Sequence, residues 1–210
     1  ILFIAEKKNN CFFHAACVAN DEYAVAIIGD KFAGKTTMCI NFLNCGWDFV
    51  SNDKLLLIKE KDIFCWGLPV SLGIREGTKQ LFLKEFSELK VDPDDNRYYL
   101  TPNELIKKFN VSVTNGQKLK LMLIPVFSKE TKELSFVKLS KVEARSFLKK
   151  QCLESIYTER KKLNKFVNCP HNDNFIKELD QIPIYRITVN KETNFQLKNI
   201  INEILKIEEN

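Results

Sequence analysis

The apolar residues of this chain fall mostly into short runs bounded by polar turns, a pattern that is typical of β-strands. The N-terminal part predicts three successive strands at 1–5, 11–18 and 24–28, separated by the polar segments 6–10 and 20–22. Short connections of this kind join neighbouring strands that run in opposite directions, whereas parallel strands need a long crossover. We therefore expect the sheet to begin with antiparallel pairing.

The rest of the chain alternates strands with segments of helical periodicity, and Asn115-Gly116 predicts a hairpin turn. Thr101-Pro102-Asn103-Glu104 is a capping box with proline at the first helical position. Further strands are predicted at 47–51, 55–58, 62–66, 111–113, 119–127, 134–139 and 182–189. Helices are predicted at 37–43, 76–89, 102–109, 141–155, 158–167 and 195–207. This order predicts one α/β domain over residues 1–210, with a mixed sheet, flanking helices and a C-terminal α/β portion.

The segment 29–36 fits the pattern G-x-x-x-x-G-K-[ST] of a phosphate-binding loop, with a strand before it and a helix after it. Its glycines allow successive backbone N–H groups to converge on a phosphate at a helix N-terminus. Lys35 is then expected to reach the β- and γ-phosphates, and the Thr36 hydroxyl to bind Mg²⁺. The alternative is a glycine turn whose lysine faces water. The predicted nucleotide-binding residues are Gly29, Asp30, Lys31, Phe32, Ala33, Gly34, Lys35, Thr36 and Thr37.

Acidic residues follow the loop at two places. Asp53 ends the predicted strand 47–51 with Asn52 before it, 18 residues after Lys35, where a second metal-binding carboxylate is expected. The polar loop 91–97 contains three aspartates around a proline, which are either metal ligands or a solvated turn.

Composition narrows the classes of function. The chain has 210 residues, of which 45% are apolar and 28% charged, with a formal net charge of +5. These values are typical of a globular domain. The chain has no basic stripe interleaved with aromatic residues, so nucleic-acid binding is not predicted. No apolar run has the length of a membrane span. The chain starts within a predicted strand and without methionine, so we expect residues upstream of it.

Seven cysteines form an odd set with no C-x-x-C pair, which favours reduced thiols in a cytoplasmic protein. Cys169 and His171 supply only two candidate ligands, so a zinc site is not predicted.

The order of His14, then Gly29-Asp30, then Gly46 and Ser51-Asn52-Asp53 resembles the catalytic core of the HPr kinase/phosphorylase family. The fold of that family is related to the nucleotide-binding part of phosphoenolpyruvate carboxykinases. Later segments are similar to small HPr-kinase-like proteins that lack the regulatory N-terminal domain, namely 67–69, 72–75, 139–140 and 182–189.

The resemblance implies a kinase that uses ATP and Mg²⁺ to phosphorylate a serine hydroxyl of a protein or of a peptide. The acceptor is then either a peptide natural-product precursor or a sugar-transport phosphocarrier protein. Asp53 matches the second of two consecutive acidic residues that, in the family, serve the metal and the attacking hydroxyl. His14 matches a histidine beside the phosphates, and Arg75 lies near an arginine-bearing segment and would stabilise charge on the transferred group. The alternative for His14 is a histidine that only satisfies its hydrogen bonds within the sheet, and the alternative for Arg75 is a surface ion pair. The relatives also assemble into rings, so a homo-oligomer is allowed.

Asn52 departs from the family, which has a second aspartate there. An amide cannot accept a proton from a substrate hydroxyl. Either Asp53 serves both roles, or Asn52 is a metal ligand and the base lies elsewhere, or catalysis is weak. The alternative functions are therefore a nucleotide-binding regulatory module and a small-molecule kinase. An ordinary parallel-sheet NTPase is disfavoured by the strands before the loop.

Overall fold

The structure is a computed structural model that describes residues 9–68, 70–128, 134–158, 163–168, 173–189 and 197–209. The predicted strand at 1–5 and the segment Cys169-Pro170-His171 lie outside these residues.

The described residues form both strands and helices. The strands are β1 (Asn10–Phe13), β2 (Ala15–Ala19), β3 (Ala24–Ile28), β4 (Asp48–Ser51), β5 (Leu55–Lys59), β6 (Ile63–Gly67), β7 (Leu72–Ile74), β8 (Tyr98–Leu100), β9 (Gln117–Phe127), β10 (Ser135–Lys138), β11 (Cys152–Thr158), β12 (Leu163–Asn168) and β13 (Ile184–Val189). The helices are α1 (Lys35–Asn44), α2 (Glu76–Leu81), α3 (Leu83–Phe86), α4 (Pro102–Phe109), α5 (Lys141–Gln151), α6 (Asp173–Glu178) and α7 (Leu197–Glu209), with a 3₁₀ turn at Leu179–Gln181.

One large mixed sheet organises the chain, in the order β12-β11-β1-β5-β6-β9-β3-β2-β4. Its longest strand, β9, pairs in parallel with β3 and β13 and antiparallel with β6, and β10 pairs antiparallel with β13. β7 and β8 form a separate two-stranded sheet. The predicted α/β class with a mixed sheet and flanking helices is confirmed, as is the antiparallel pairing of β2 with β3.

Both faces of the sheet are covered, which explains why β3 reads as a continuous apolar run. Val25 and Ile27 face a core that includes side chains of α1 and α7. Ala24, Ala26 and Ile28 face a second core that includes side chains of α5 and α6. Since β3 leads into the predicted phosphate loop, the loop is anchored by a strand that is buried on both sides.

The single strand predicted at 11–18 is divided in two at His14. Before it, β1 pairs with β5 and β11; after it, β2 pairs with β3 and β4. At the break, the His14 N–H donates to the Gln151 carbonyl at 3.2 Å. The apolar pattern runs through the break because both strands are buried, so periodicity could not reveal the change of partners.

The predicted hairpin at Asn115-Gly116 is wrong. Val113 forms an isolated parallel bridge with Phe49, and β9 pairs with β3, β6 and β13 instead of with residues 111–113. The turn residues hold β6: the Gly67 N–H donates to Asn115 Oδ1 at 2.6 Å, and the Gly116 N–H donates to the Cys65 carbonyl at 2.9 Å.

The helices predicted at 141–155 and 158–167 are wrong after residue 151. α5 ends at Gln151, and β11 and β12 form an antiparallel pair. Pairing of β11 with β1, with Phe13 opposite Cys152, overrides the local helical periodicity. The helix predicted at 76–89 is likewise interrupted, at the buried residue Phe82, to give α2 and α3.

Cysteines in the described residues are of two kinds. Cys11 and Cys152 form a disulfide between β1 and β11, so the prediction of reduced thiols is wrong for this pair. Cys17, Cys39, Cys45 and Cys65 are free thiols. Burial raises the pKa of the Cys39 thiol to about 12, so this side chain of α1 acts as a small core hydrophobe.

The close approach of β6 to β4 requires glycine at position 67. A Cβ there would lie 1.6 Å from the Val50 carbonyl oxygen, which is backbone and cannot rotate away. We expect Gly67→Ala to lower the free energy of unfolding by about 2–3 kcal/mol in urea denaturation. Gly77→Ala is the matched control, because a Cβ there meets nothing within 4 Å. It should leave stability unchanged or raise it by up to about 1 kcal/mol, and equal losses in both variants would contradict this packing.

Candidate functional site

The predicted phosphate loop connects β3 to α1 and turns tightly. The Ala33 N–H donates to the Asp30 carbonyl at 3.1 Å, and Gly34 caps α1 with a φ of 98°, a backbone conformation that glycine adopts without strain. The Met38 N–H donates to the Gly34 carbonyl at 2.9 Å, which starts the helix directly after the loop. The loop therefore ends at a helix N-terminus, the position that favours an anion.

Lys35 lies inside the loop. The residue is only 7% exposed, and Nζ donates to the carbonyls of Gly29 at 2.8 Å and Asp30 at 3.1 Å. Burial lowers the pKa of this ammonium, while Asp53 and Asp30 oppose the effect. A buried ammonium needs partners, and here the loop's own carbonyls supply them. The alternative in which this lysine faces water is excluded by its burial.

Thr36 and Asn52, two of the predicted metal ligands, are in direct contact. Thr36 Oγ1 donates to Asn52 Oδ1 at 3.2 Å, and Asn52 is only 2% exposed. Within the described ranges, no group of three or more His, Cys, Asp or Glu side chains is arranged to hold a metal. The oxygens of Thr36, Asn52 and Asp53 suit Mg²⁺, which prefers oxygen ligands and takes its remaining ones from phosphates and water.

Asp53 pairs with His14 across the sheet. His14 Nε2 lies 3.3 Å from Asp53 Oδ1, with the two side chains 39% and 43% exposed. The His14 hydrogen bond lowers the pKa of the Asp53 carboxyl; burial opposes this, and the charges of His14, Lys35 and Arg97 add to the lowering. This carboxyl is therefore an anion at neutral pH and can accept a proton or a cation.

The strand register explains why His14 and Asp53 lie close together. Ala15 lies opposite Ile28 and Cys17 lies opposite Ser51, both in antiparallel pairs. Residues just before β2 therefore lie beside those that follow β3 and β4. This arrangement places His14 near the start of the phosphate loop and near Asp53.

The site residues surround a pocket of about 700 Å³. The predicted catalytic residues His14, Lys35, Asp53 and Arg75 all line it, together with Asn52 and the loop segment 31–37. The other two predicted loop residues, Gly29 and Asp30, support it by accepting from Lys35. Pro125 and Phe127 at the end of β9 add an apolar side. A pocket of this size is typical of a small-molecule site.

Sequence reasoning did not select Arg97, which lines the same pocket. Its charge contributes to the lowered pKa of Asp53, and it forms an ion pair with Asp95 at 3.5 Å. Asp95 also accepts a hydrogen bond from Tyr99, and Asp92 accepts one from the Asp94 N–H. The aspartates of the loop 91–97 thus form a structured turn, and the only signal for Arg97 was a lone arginine beside them.

Two polar contacts tie the phosphate loop to other elements. Thr37 Oγ1 lies 2.9 Å from Thr78 Oγ1 on α2, within hydrogen-bond distance. Gln151 at the end of α5 donates from Nε2 to Asp30 Oδ1 at 2.7 Å, while its backbone carbonyl accepts from His14. Neither Thr78 nor Gln151 belongs to a sequence motif, so the sequence carried no signal for them.

Comparisons with known proteins find similarity among solved structures. No protein-family model matches the chain, and a search of curated proteins finds no relative. The HPr(Ser) kinase/phosphatase of Coxiella burnetii is a solved structure similar to this chain, with 13% sequence identity and a TM-score of 0.42. The match covers 94% of this chain and 98% of that one.

Among the described helices, none combines the length and the apolarity that crossing a membrane requires.

The contact between His14 and Asp53 predicts a measurable titration. In carboxyl-detected NMR, the Asp53 midpoint should lie below the ordinary value, and His14→Ala should raise it more than Arg97→Gln, because the His14 hydrogen bond is the largest cause of the shift. Since folding lowers this pKa, the pair's contribution to stability is present above about pH 4 and is lost as the pH falls through the folded midpoint. An Asp53 midpoint that His14→Ala leaves unchanged would contradict the contact.

Proposed function

We propose that this protein is a kinase that transfers the γ-phosphoryl group of ATP, bound with Mg²⁺, to a serine hydroxyl of a protein or peptide. One observation carries the proposal. A loop with the phosphate-binding sequence encloses the ammonium of Lys35, and the same pocket contains the carboxylate of Asp53 paired with His14. A phosphate cradle and a carboxylate facing one cavity are the parts that phosphoryl transfer needs.

The loop would bind the triphosphate through its backbone N–H groups and the N-terminus of α1. In the nucleotide-bound state, Lys35 would exchange the carbonyls of Gly29 and Asp30 for phosphate oxygens. This exchange is favourable because a charge-assisted bond to phosphate is stronger than a bond to a neutral carbonyl. Pro125 and Phe127 offer apolar surface to the nucleoside.

Thr36 Oγ1, Asn52 Oδ1 and the Asp53 carboxylate would hold Mg²⁺, which when bound neutralises charge on the phosphate oxygens. The Asn52 amide orients its oxygen toward Thr36, so both groups face the loop from adjacent elements.

Asp53 would receive the proton of the acceptor. As the serine oxygen forms its bond to the γ-phosphorus, the bond from phosphorus to the β-γ bridging oxygen breaks, ADP leaves, and the hydroxyl proton passes to the carboxylate. The hydrogen bond from His14 Nε2 orients this carboxylate. Arg97 lies close enough to Asp53 to lower its pKa, and with Arg75 it supplies positive charge beside the transferred group.

Peptide natural-product precursors and phosphocarrier proteins are the acceptors that we propose to test first. We also propose a cytoplasmic location, because the reaction uses ATP and Cys17, Cys39, Cys45 and Cys65 are free thiols; the Cys11–Cys152 disulfide is the opposing observation.

A second candidate is a nucleotide-binding regulatory module with weak or no catalysis, and Asn52 is the observation that favours it. Its amide accepts from Thr36 in a buried position and cannot take a proton from an acceptor. In this case the pocket binds the nucleotide without transferring phosphate.

Replacing the lysine and the carboxylate should have different effects. Lys35→Ala should weaken Mg-ATP binding in isothermal calorimetry by at least about 100-fold, because a buried charge-assisted contact is lost. Asp53→Asn should keep most of the affinity but lower phosphoryl transfer, followed by intact mass of the acceptor, by roughly 100-fold or more. Lys150→Ala and Asp62→Asn are matched controls outside the pocket. A wild-type transfer rate in Asp53→Asn would show that the carboxylate is assigned wrongly.

Asn52→Asp separates the two candidate functions. If Asn52 limits catalysis, the added carboxylate should raise the rate of phosphoryl transfer by about tenfold or more, and it should also raise the affinity for Mg²⁺. Asn52→Ala is the control, since it removes the oxygen that accepts from Thr36. Transfer that falls in both variants would instead show that the amide itself is needed at this position.

A further inference from the structure

Phe32 has an unusual conformation and environment for a large apolar residue. It lies in the phosphate loop with a φ of 73°, in the left-handed region that bulky side chains rarely occupy. Its side chain is 71% exposed, although it borders a pocket lined with charged groups. Glycine would adopt this backbone without strain, so the side chain must gain something that offsets the unfavourable conformation.

The ring of Phe32 has two cations within cation-π distance. Arg75 Cζ lies over the ring at 4.6 Å from its centroid, and Lys31 Nζ lies at 5.2 Å. Both distances are within the range of about 6 Å in which an aromatic face attracts a cation. The Arg75 contact joins the phosphate loop to the residue that precedes α2.

The Arg75 guanidinium has no ion pair or hydrogen bond with another described residue. The alternative of a surface ion pair is therefore not supported within the described part of the chain. The aromatic face attracts the guanidinium without neutralising its charge and without using its N–H donors. A carboxylate in the same place would do both.

We propose that Phe32 is a positioning residue that holds the Arg75 guanidinium in the lining of the pocket, where it would contact the terminal phosphate of a nucleoside triphosphate. The proposal rests on the proposed function and deepens it, because the Arg75 contact would make this site prefer a triphosphate to a diphosphate. Lys35 lies inside the loop, whereas Arg75 approaches from α2. A contact made only with the terminal phosphate strengthens binding of ATP but not of ADP.

The test is a double-mutant cycle of Phe32→Leu and Arg75→Gln, with Mg-ATP and Mg-ADP affinities measured by isothermal calorimetry. Arg75→Gln should weaken Mg-ATP binding by about tenfold, and Phe32→Leu by about three- to tenfold. Mg-ADP binding should change by less than about twofold in either variant. Because Phe32 acts through Arg75, the double variant should match Arg75→Gln alone.

Two further variants separate the ring from the backbone conformation. Phe32→Trp should retain the wild-type preference for ATP, since indole is the stronger cation-π partner. Phe32→Gly relieves the strain and removes the ring, so it should lose the preference while remaining folded, even if Phe32→Leu is unstable. Val142→Ala is a control for an exposed apolar side chain, at 77% exposure outside the pocket.

The outcomes are distinct. The proposal is supported if Phe32→Leu and Arg75→Gln lower the preference for ATP non-additively and Phe32→Trp retains the wild-type preference. Independent, additive losses, or equal weakening of Mg-ATP and Mg-ADP, overturn it while leaving nucleotide binding established. A wild-type protein that binds neither nucleotide overturns the proposed function and this proposal together.

Discussion

The site depends on the burial of one ammonium group. Lys35 lies almost wholly inside the structure, and the carbonyls of Gly29 and Asp30 satisfy its charge. For those carbonyls to reach the ammonium, the loop between the buried strand β3 and the N-terminus of α1 must wrap around the Lys35 side chain. Phe32 and Gly34 have positive φ angles in this loop. An unpaired buried ammonium is costly, so these two hydrogen bonds stabilise the conformation of the loop.

The surrounding architecture supports this loop from several directions. Gln151 donates its side-chain amide to Asp30 and accepts the His14 N–H at its backbone, so one residue connects the loop to the break between β1 and β2. That break allows the chain to leave one part of the sheet and enter another. His14 is thereby placed beside Asp53. The disulfide from Cys152 to Cys11 fixes the same junction covalently.

The sequence predicted the features that local chemistry determines. The strand, loop and helix around Lys35, the hairpin of β5 and β6, and the capping box at Thr101 all follow from short-range pattern and are present. Asp53 was selected because it follows a predicted strand at a suitable distance from the loop, and it lines the pocket.

The features that the sequence did not predict depend on contacts between distant segments. The segments of β11 and β12 were expected to be helical, but they are strands because they pair with β1 and with each other. Asn115-Gly116 has the composition of a hairpin turn, but its side chain and backbone hold β6. Arg97 enters the pocket from a loop whose composition indicates only a polar turn. Contacts between distant segments outweigh local conformational preferences, and no sequence motif indicates which segments will meet.

The most direct test of the proposed kinase site is a crystal structure with Mg²⁺ and a non-hydrolysable ATP analogue. We expect Lys35 Nζ to leave the carbonyls of Gly29 and Asp30 for the phosphates. We also expect Thr36 Oγ1 to bind the metal and the terminal phosphate to face Asp53. A nucleotide bound outside this pocket, or Lys35 still on the loop carbonyls with the pocket occupied, would contradict the proposed site.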